Sequence, residues 1–233
     1  MTPDAARVMA AIRATWPAGE VRRVGPFDVP MDRDGTRRSQ AARLAEGTAG
    51  PKDVRAVEAA RPGGVFGTTE GDPIEALFEA MGYAPEGHCL LMVDPVGEAP
   101  APPPVSGFAH WPPLAICEAM WEAHGNGAAR RAPMTRAPGP KTAILLRADA
   151  RPAGLLFAAL HGEVAVLHAV LTLPEMRRRG VGRLGMTHAA HWAAAQGACA
   201  LALPVETGNA PAIALYRSAG LRPVGAYRYW RAP

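Results

Sequence analysis

The sequence has few cysteines, few aromatic residues and no long apolar run. Its three cysteines, Cys89, Cys117 and Cys199, are odd in number and far apart, which excludes a disulfide framework and shows no metal-ligand spacing. All three lie in apolar segments, so we expect buried thiols in a reducing compartment. No segment reaches the ~18 apolar residues that a membrane-spanning helix needs.

An excess of one charge is also lacking. Lys+Arg is 25 against Asp+Glu 21, a net charge of +4, which is too small to indicate a nucleic-acid partner. The chain begins Met1-Thr2-Pro3-Asp4, without a basic region and an apolar core, so we expect no secretory signal and predict a cytoplasmic protein. A hydrophobic content of 48% is typical of a chain with a packed core.

A basic loop containing glycines lies between a predicted strand and a predicted helix. The apolar run 164–173 predicts the strand, and Pro174 ends it. Apolar residues at spacings of three and four predict a helix that begins at Val181 and ends at Gly197. The unpaired amides and dipole of its first turn favour an anion. On its own the loop could also be a surface turn, since it matches neither the dinucleotide nor the Walker fingerprint.

A second motif follows the apolar run 198–205. The pattern Asn209-x-x-Ala212-x-x-Leu215-Tyr216 predicts a short helix with Asn209 at a capping position. Gly220-Leu221 then ends it.

Together with Arg177-x-x-Gly180-x-Gly182, this motif resembles the GNAT superfamily of acetyl-CoA-dependent N-acetyltransferases. The resemblance covers roughly residues 105–230. Thr172 stands where an apolar β-branched residue is common, and Leu221 where phenylalanine is usual. Neither position is expected to do chemistry.

The resemblance implies an α/β (α+β) fold with a mixed, mostly antiparallel central sheet flanked by helices. Apolar runs at 142–146, 153–160 and 163–173, separated by short turns, independently predict an antiparallel meander. The proline-rich segment 96–104 predicts a linker. We therefore predict an N-terminal domain at 1–95 and an acetyl-CoA-binding GNAT domain at 105–233.

The N-terminal half contains a pattern that lines up with the second motif. Ala76-Leu77-Phe78-x-x-x-Gly82-Tyr83 matches Ala214-Leu215-Tyr216-x-x-x-Gly220-Leu221, and each is followed by a predicted strand. We interpret this half as a smaller, degenerate GNAT-like unit, as in tandem members, that transfers no acetyl group. The alternative is that any short helix ending at glycine shows this pattern.

The resemblance also implies a binding site for acetyl-CoA as cosubstrate, without a metal. The strand before the loop would pair with the pantetheine arm, and the loop amides and arginines would hold the pyrophosphate. The predicted binding residues are Leu171, Thr172, Leu173, Arg177, Arg178, Arg179, Gly180, Val181, Gly182, Arg183, Asn209 and Tyr216. Nucleic-acid binding is the other interpretation of the arginines.

Tyr216 is the predicted general acid, because a phenol can protonate the departing CoA thiolate. The alternative is a core tyrosine. His168 is the predicted base, since an imidazole pKa near 6.5 suits a proton acceptor, although a strand histidine can also be structural. With unbroken alternation it would share a face with Val166, Val170 and Thr172. Glu163 is a weaker candidate for the base.

The acceptor is predicted to be a primary amine of a small molecule or peptide. Aromatic and acidic residues could hold a cationic amine: Trp111, Trp121, Glu118, Glu122 and Tyr227. His188 and His191 are spaced like a metal pair but lack further ligands, and are expected to be helix contacts. We expect no nucleic-acid or membrane partner, and a monomer or homodimer. The alternative function is a catalytically inactive acyl-CoA sensor or interaction domain.

Overall fold

The structure is a computed structural model that describes residues 2–97 and 99–233. The helices of this part of the chain are α1 (Ala5–Thr15), α2 (Arg37–Gln40), α3 (Pro51–Ala60), α4 (Ile74–Ala80), α5 (Ala115–Ala123), α6 (Ala128–Arg136), α7 (Val181–Ala195) and α8 (Ala210–Ser218). The strands are β1 (Val21–Val24), β2 (Phe27–Pro30), β3 (Arg43–Leu44), β4 (Val65–Thr69), β5 (Ala84–Pro95), β6 (Gly107–His110), β7 (Lys141–Ala148), β8 (Arg151–His161), β9 (Val164–Thr172), β10 (Ala200–Glu206) and β11 (Arg222–Arg231).

A large mixed sheet organises the molecule. Its order is β4-β11-β5-β10-β9-β8-β7-β6. Its ladders are antiparallel except that between β9 and β10, which is parallel. This confirms the predicted fold class, and the antiparallel meander of β7, β8 and β9 is present as predicted.

Helices cover both faces of the sheet because each has one apolar stripe to bury. On one face, α7 packs Val181, Met186 and Ala189 into a cluster with Leu156 of β8. On the other face, α1 packs against β5, β8, β9, β10 and β11. Trp121 of α5 also lies on that second face, in the cluster around Phe157.

The N-terminal half adds its own small core beside the sheet. A sheet of order β1-β2-β3 and the helices α3 and α4 surround Phe66, Phe78 and Trp230. Trp230 belongs to β11, so the last strand of the chain completes this N-terminal core. The strand β4 and the helix α6 were not predicted. Glycines flank β4, and Pro133 lies inside α6. The sequence around these two elements therefore does not clearly indicate a strand or a helix.

The two halves of the chain exchange strands. The unit β4–α4–β5 has the same element order as β10–α8–β11. However, each unit has given its last strand to the other: β5 pairs with β10, and β11 pairs with β4. The exchanged strands β5 and β11 also pair with each other. The division of the chain at 96–104 stays a prediction, but the main sheet is built from both sides of it.

Candidate active site

A gap opens in the sheet where its one parallel pair separates. Pairing between β9 and β10 runs from Val164 opposite Ala200 to Val166 opposite Ala202. Beyond this point β9 stays paired with β8, and β10 stays paired with β5 as far as Glu206. The facing backbone groups of β9 and β10 are therefore left without ladder partners, and such groups readily pair with an extended ligand. We call this gap the seam.

A β-bulge shapes the β9 side of the seam. Phe157 pairs with His168 while Leu155 pairs with Leu171, so two β9 residues oppose one residue of β8. Ala169, in the bulge, has φ 47°, and the buried indole of Trp121 donates a hydrogen bond of 2.9 Å to its carbonyl oxygen. The Trp121 side chain therefore supplies a hydrogen bond to a backbone carbonyl that the bulge removes from the ladder.

The bulge overturns one prediction about β9. His168 stacks on Trp16 with a centroid distance of 4.8 Å, and Leu171 packs against the cluster that contains Trp16. Val170 is 37% exposed. The expectation that His168 shares a face with Val170 and Thr172 is wrong, because the extra residue reverses the alternation beyond it.

The loop after β9 presents a row of backbone donors. A 3₁₀ turn at Pro174–Met176 is followed by Arg178 and Gly180 at φ 56° and 78°, and α7 begins at Val181. Within the described chain, no hydrogen-bond partner is found for the amides of residues 178–183. Successive unpaired amides at a helix N-terminus form an anion-binding concavity.

The four arginines of the loop differ in what they contact. Arg179 forms an ion pair with Asp149, and Arg183 donates to the Ser218 carbonyl at 3.2 Å. Arg177 and Arg178 are exposed and form no ion pair with any described residue. They are the two guanidinium groups best able to add contacts to a bound phosphate.

Gly182 has a packing role in addition to its place in the loop. A Cβ atom at this position would lie 2.6 Å from Cδ2 of Leu215. The missing side chain therefore lets α7 approach α8, the helix that carries Tyr216.

Tyr216 is held by packing rather than by polar contacts. It is 6% exposed and belongs to the cluster that also contains Leu203 and Val205 of β10. Its hydroxyl forms no hydrogen bond within residues 2–97 and 99–233. Burial raises the pKa of Tyr216 to about 12, so the phenol is protonated at neutral pH. A protonated hydroxyl without a protein partner is suited to donate a proton to a ligand.

Asn209 caps α8, as its position predicted. Its Oδ1 accepts a hydrogen bond of 3.2 Å from the amide of Ala212. The cap leaves the side-chain NH₂ group available for a ligand, so a contact between Asn209 and acetyl-CoA stays a prediction.

His168 is enclosed and both of its ring nitrogens are engaged. Nδ1 lies 2.8 Å from Nη1 of Arg38, and Nε2 lies 2.9 Å from Oγ1 of Thr15. A guanidinium only donates, so Nδ1 accepts and Nε2 carries the proton. Burial, with a smaller contribution from Arg38, holds the pKa of His168 well below 6.5. This geometry favours a role in positioning Arg38 over the predicted abstraction of a proton.

His188, His191 and Glu163 lie away from the seam. Glu163, at the opposite end of β9 from the loop, is exposed and pairs with Arg7 at 3.3 Å, which removes the geometric basis for it as a base. His188 is buried against Gly107, and its Nε2 lies 2.9 Å from Oγ of Ser106. It is a packing contact, whereas His191 is exposed.

A cavity of about 400 Å³ lies where the far ends of β10, β5 and β11 meet α2. Such a volume is within the range of small-molecule sites. Arg38, which lines it, is also the residue that contacts His168 of β9. Charged and aromatic side chains line the cavity, among them Arg37, Arg38, Arg130, Glu206, Tyr227 and Tyr229.

The acceptor residues expected from the sequence are mostly elsewhere. Tyr227 lines the cavity, but Trp111, Trp121, Glu118 and Glu122 do not. Trp121 is fully buried beneath the bulge, and the two glutamates are exposed on α5. Arg37 and Arg38 were missed because α2 is a single turn with no apolar periodicity, and Arg130 was missed because it lies on α6, a helix that was not predicted.

The remaining predictions concern thiols, metals and membranes. Cys89 and Cys117 are buried as expected, but Cys199 is only half-buried, with Sγ 3.7 Å from a Glu163 carboxylate oxygen. In the described residues, no group of three or more His, Cys, Asp or Glu side chains could hold a metal ion. None of the helices in these same residues is long and apolar enough to cross a membrane.

The fold and the loop define a class of protein: an α/β chain whose mixed sheet opens beside a helix N-terminus with unpaired amides. Residues 113–221 match the model of the acetyltransferase (GNAT) family. The chain therefore carries an acetyltransferase domain of the GNAT family, as the two motifs predicted. Among curated proteins, none matches this sequence.

Solved structures share this fold over most of the chain. A GCN5-related N-acetyltransferase from Kribbella flavida is 21% identical with a TM-score of 0.75, covering 98% of this chain and 95% of that one. A putative GNAT-family acetyltransferase from Novosphingobium aromaticivorans is 18% identical with a TM-score of 0.61, covering 96% and 93%. A tandem GNAT protein from the clavulanic acid biosynthesis pathway is 17% identical with a TM-score of 0.59, covering 83% and 75%.

Proposed function

We propose that the protein transfers an acetyl group from acetyl-CoA to a primary amine by direct attack. The observation that carries the proposal is the seam between β9 and β10 with the unpaired amides of residues 178–183 at its end. An extended pantetheine arm can pair with the free strand edges of the seam, and a pyrophosphate can accept hydrogen bonds from the loop. The residues proposed to bind acetyl-CoA are those predicted from the sequence: Leu171, Thr172, Leu173, Arg177, Arg178, Arg179, Gly180, Val181, Gly182, Arg183, Asn209 and Tyr216.

The two faces of the sheet supply different parts of the reaction. Tyr216 lies on the face covered by α7, and the cavity lined by Arg38 lies on the side of α1 and α2. The seam joins the two faces, because β9 and β10 separate there. The thioester would sit at the seam, with the acceptor amine in the cavity and the Tyr216 hydroxyl near the sulfur.

The proposed chemistry has one bond made and one bond broken. The neutral amine nitrogen attacks the acetyl carbon, and the carbon–sulfur bond breaks to release a thiolate. Tyr216 donates its proton to the sulfur and regains one from water, while the nitrogen loses a proton to solvent or to an acceptor in the cavity. A thiol pKa near 8.5 makes the thiolate a tolerable leaving group, so one acid is sufficient.

We also propose that the N-terminal half is the degenerate GNAT-like unit. The same hydrogen bond is found at the C-terminal ends of α4 and α8. The amide of Tyr83 donates to the Phe78 carbonyl, and the amide of Leu221 donates to the Tyr216 carbonyl, both at 3.0 Å. The reciprocal exchange of β5 and β11 supports the same interpretation. Phe78, the counterpart of Tyr216, is 1% exposed inside the N-terminal core, so this half has no acid at that position.

Calorimetric titration of acetyl-CoA into the intact chain tests the site. Gly180 has a left-handed backbone, and a Cβ atom there would meet no neighbour within 4 Å. Gly180→Ala therefore adds only backbone strain of about 1–2 kcal/mol. The strain lies inside the loop whose amides are proposed to bind the phosphates. We expect acetyl-CoA affinity to fall at least about tenfold, because several amides turn away from the phosphates together.

Gly162→Ala is the matched control. Gly162 has φ 55° and equally open surroundings, but lies in the turn between β8 and β9. This variant should lose similar stability and keep the parental affinity. Parental protein that does not bind millimolar acetyl-CoA would contradict the proposal, and so would an equal loss of affinity in both variants.

A further inference from the structure

The cavity beside the seam carries an excess of positive charge. Of the described residues, three arginines line it, Arg37, Arg38 and Arg130, together with one carboxylate, that of Glu206. Arg37 forms an ion pair with the Glu206 carboxylate at 3.3 Å and a second ion pair with Glu86. Among residues 2–97 and 99–233, neither Arg38 nor Arg130 forms an ion pair. Two guanidinium groups thus face the cavity without a carboxylate to balance them.

Arg38 is held in place by neutral groups. Its Nε donates to the Tyr227 hydroxyl at 3.3 Å, and its Nη1 donates to Nδ1 of His168 at 2.8 Å. Its Nη2 has no hydrogen-bond partner in the described chain. A guanidinium that is oriented on one side and open on the other is arranged to bind a carboxylate or phosphate.

The surroundings of Arg38 add to the positive potential. Arg43 lies behind it and donates to the Arg38 carbonyl oxygen. Burial, followed by the nearby charge of Arg13, lowers the pKa of Arg43 to about 10. Both Arg38 and Arg43 also line a second cavity of about 450 Å³ on the far side. The positive field therefore continues behind the cavity wall, where a cation would be repelled.

We propose that the acceptor is an amine that also carries an anionic group, a carboxylate or a phosphate, bound in this cavity by Arg38 and Arg130. The proposal rests on the acetyltransferase function proposed above and names the substrate class of that site. The anion is held at the arginines, and the amine is directed toward the seam. Polyamines and aminoglycosides, which carry several positive charges and no anion, are disfavoured by the same arginines.

His168 has a positioning role in this site. Because its Nδ1 accepts from Arg38 and its Nε2 is fixed by Thr15, the ring holds the guanidinium toward the cavity. The Thr15 hydroxyl in turn donates to the Ala11 carbonyl at 2.7 Å. A chain of hydrogen bonds therefore anchors Arg38 to α1.

Matched acceptor pairs test the proposal through release of the CoA thiol. Each pair keeps a primary amine and replaces the anionic group by a neutral one: glycine with glycinamide, β-alanine with β-alaninamide, and phosphoethanolamine with ethanolamine. We expect kcat/KM to be at least about tenfold higher for the anionic member of one pair. The first two pairs report a carboxylate and the third a phosphate. Equal rates, or preference for the uncharged member or for spermidine, would overturn the proposal.

Binding gives a readout that does not depend on turnover. Succinate, inorganic phosphate and 1,3-diaminopropane are titrated calorimetrically into the protein saturated with CoA. At least one anion should bind, and the diamine should not. Arg38→Gln and the surface variant Arg130→Gln should each weaken anion binding roughly tenfold. Arg55→Gln, an exposed arginine on α3 away from the cavity, should leave it unchanged.

The outcomes separate this proposal from the one it rests on. One outcome would refute only the anionic acceptor: the protein binds acetyl-CoA and acetylates cationic amines, and anion binding is unaffected in both arginine variants. The proposed acetyltransferase function would then still hold. Failure to bind acetyl-CoA at all would instead remove the proposed function. Arg130 lies on the surface of α6, so its variant keeps the test valid even where Arg38→Gln impairs folding.

Discussion

At the scale of single residues, the central assignment is the acid role of Tyr216. Its ring packs against β10, and its hydroxyl has no hydrogen-bond partner among the residues that the structure describes, so ring and hydroxyl can be tested separately. Tyr216→Phe keeps the packing and removes only the proton donor. We expect kcat to fall at least tenfold, within the roughly 10² to 10⁴ that general acids contribute. Affinity for acetyl-CoA and the melting temperature should stay near the parental values, since no hydrogen bond inside the protein is lost.

The raised pKa of Tyr216 gives this prediction a pH dependence. With a folded pKa of about 12, the Tyr216 hydroxyl stays protonated between pH 7 and 10. Its ionisation should therefore not lower the rate of the parental protein in this pH range. Because the unfolded phenol ionises near pH 10, folded-state stability falls only as the pH rises above about 10. A Tyr216→Phe variant with the parental kcat would show that Tyr216 is a core residue.

At the scale of elements, close packing at Gly154 keeps β8 and β9 in register beside the seam. Gly154 pairs with Thr172, and a Cβ atom there would lie 2.5 Å from the Leu171 carbonyl oxygen. Backbone cannot move aside as a side chain can, so Gly154→Ala should cost about 1–3 kcal/mol. In a chain of this size that lowers the melting temperature by roughly 2–12 °C. Acetyl-CoA affinity should fall as well.

Gly182→Ala is the informative comparison. The new methyl group would meet only the flexible end of Leu215, and Ala is favoured over Gly within a helix by about 1 kcal/mol. We expect its melting temperature to stay within a few degrees of the parental value. Thermal melts in which Gly182→Ala is the more damaging of the two would contradict this account of the packing.

Most elements could be predicted from the sequence because their apolar period is strong. The strand, basic loop and helix around Arg178 and Gly180 are all present, as is the Asn209 cap. The bulge at Ala169 was missed because its partner, the Trp121 indole, is distant in sequence. The cavity was missed for the same reason: tertiary contacts alone bring Arg38 and Arg130 together with Tyr227.

At the scale of the whole molecule, strand exchange joins the two halves of the chain. β5 lies between β10 and β11 in the sheet, so cutting within 96–104 would remove a central strand from the half that carries the motifs. The Trp230 side chain would likewise be taken from the N-terminal core. Ligand binding is therefore measured on the intact chain.

The measurement that tests the central claim most directly is acetyl transfer by the intact protein. Free CoA thiol is followed at saturating acetyl-CoA with the matched acceptors, and the acetylated amine is identified by mass. The account predicts turnover above the rate of hydrolysis for at least one acceptor that carries a carboxylate or phosphate. Saturable binding of acetyl-CoA with no acetylated product from any amine would contradict it, and would identify the protein as an inactive acyl-CoA sensor.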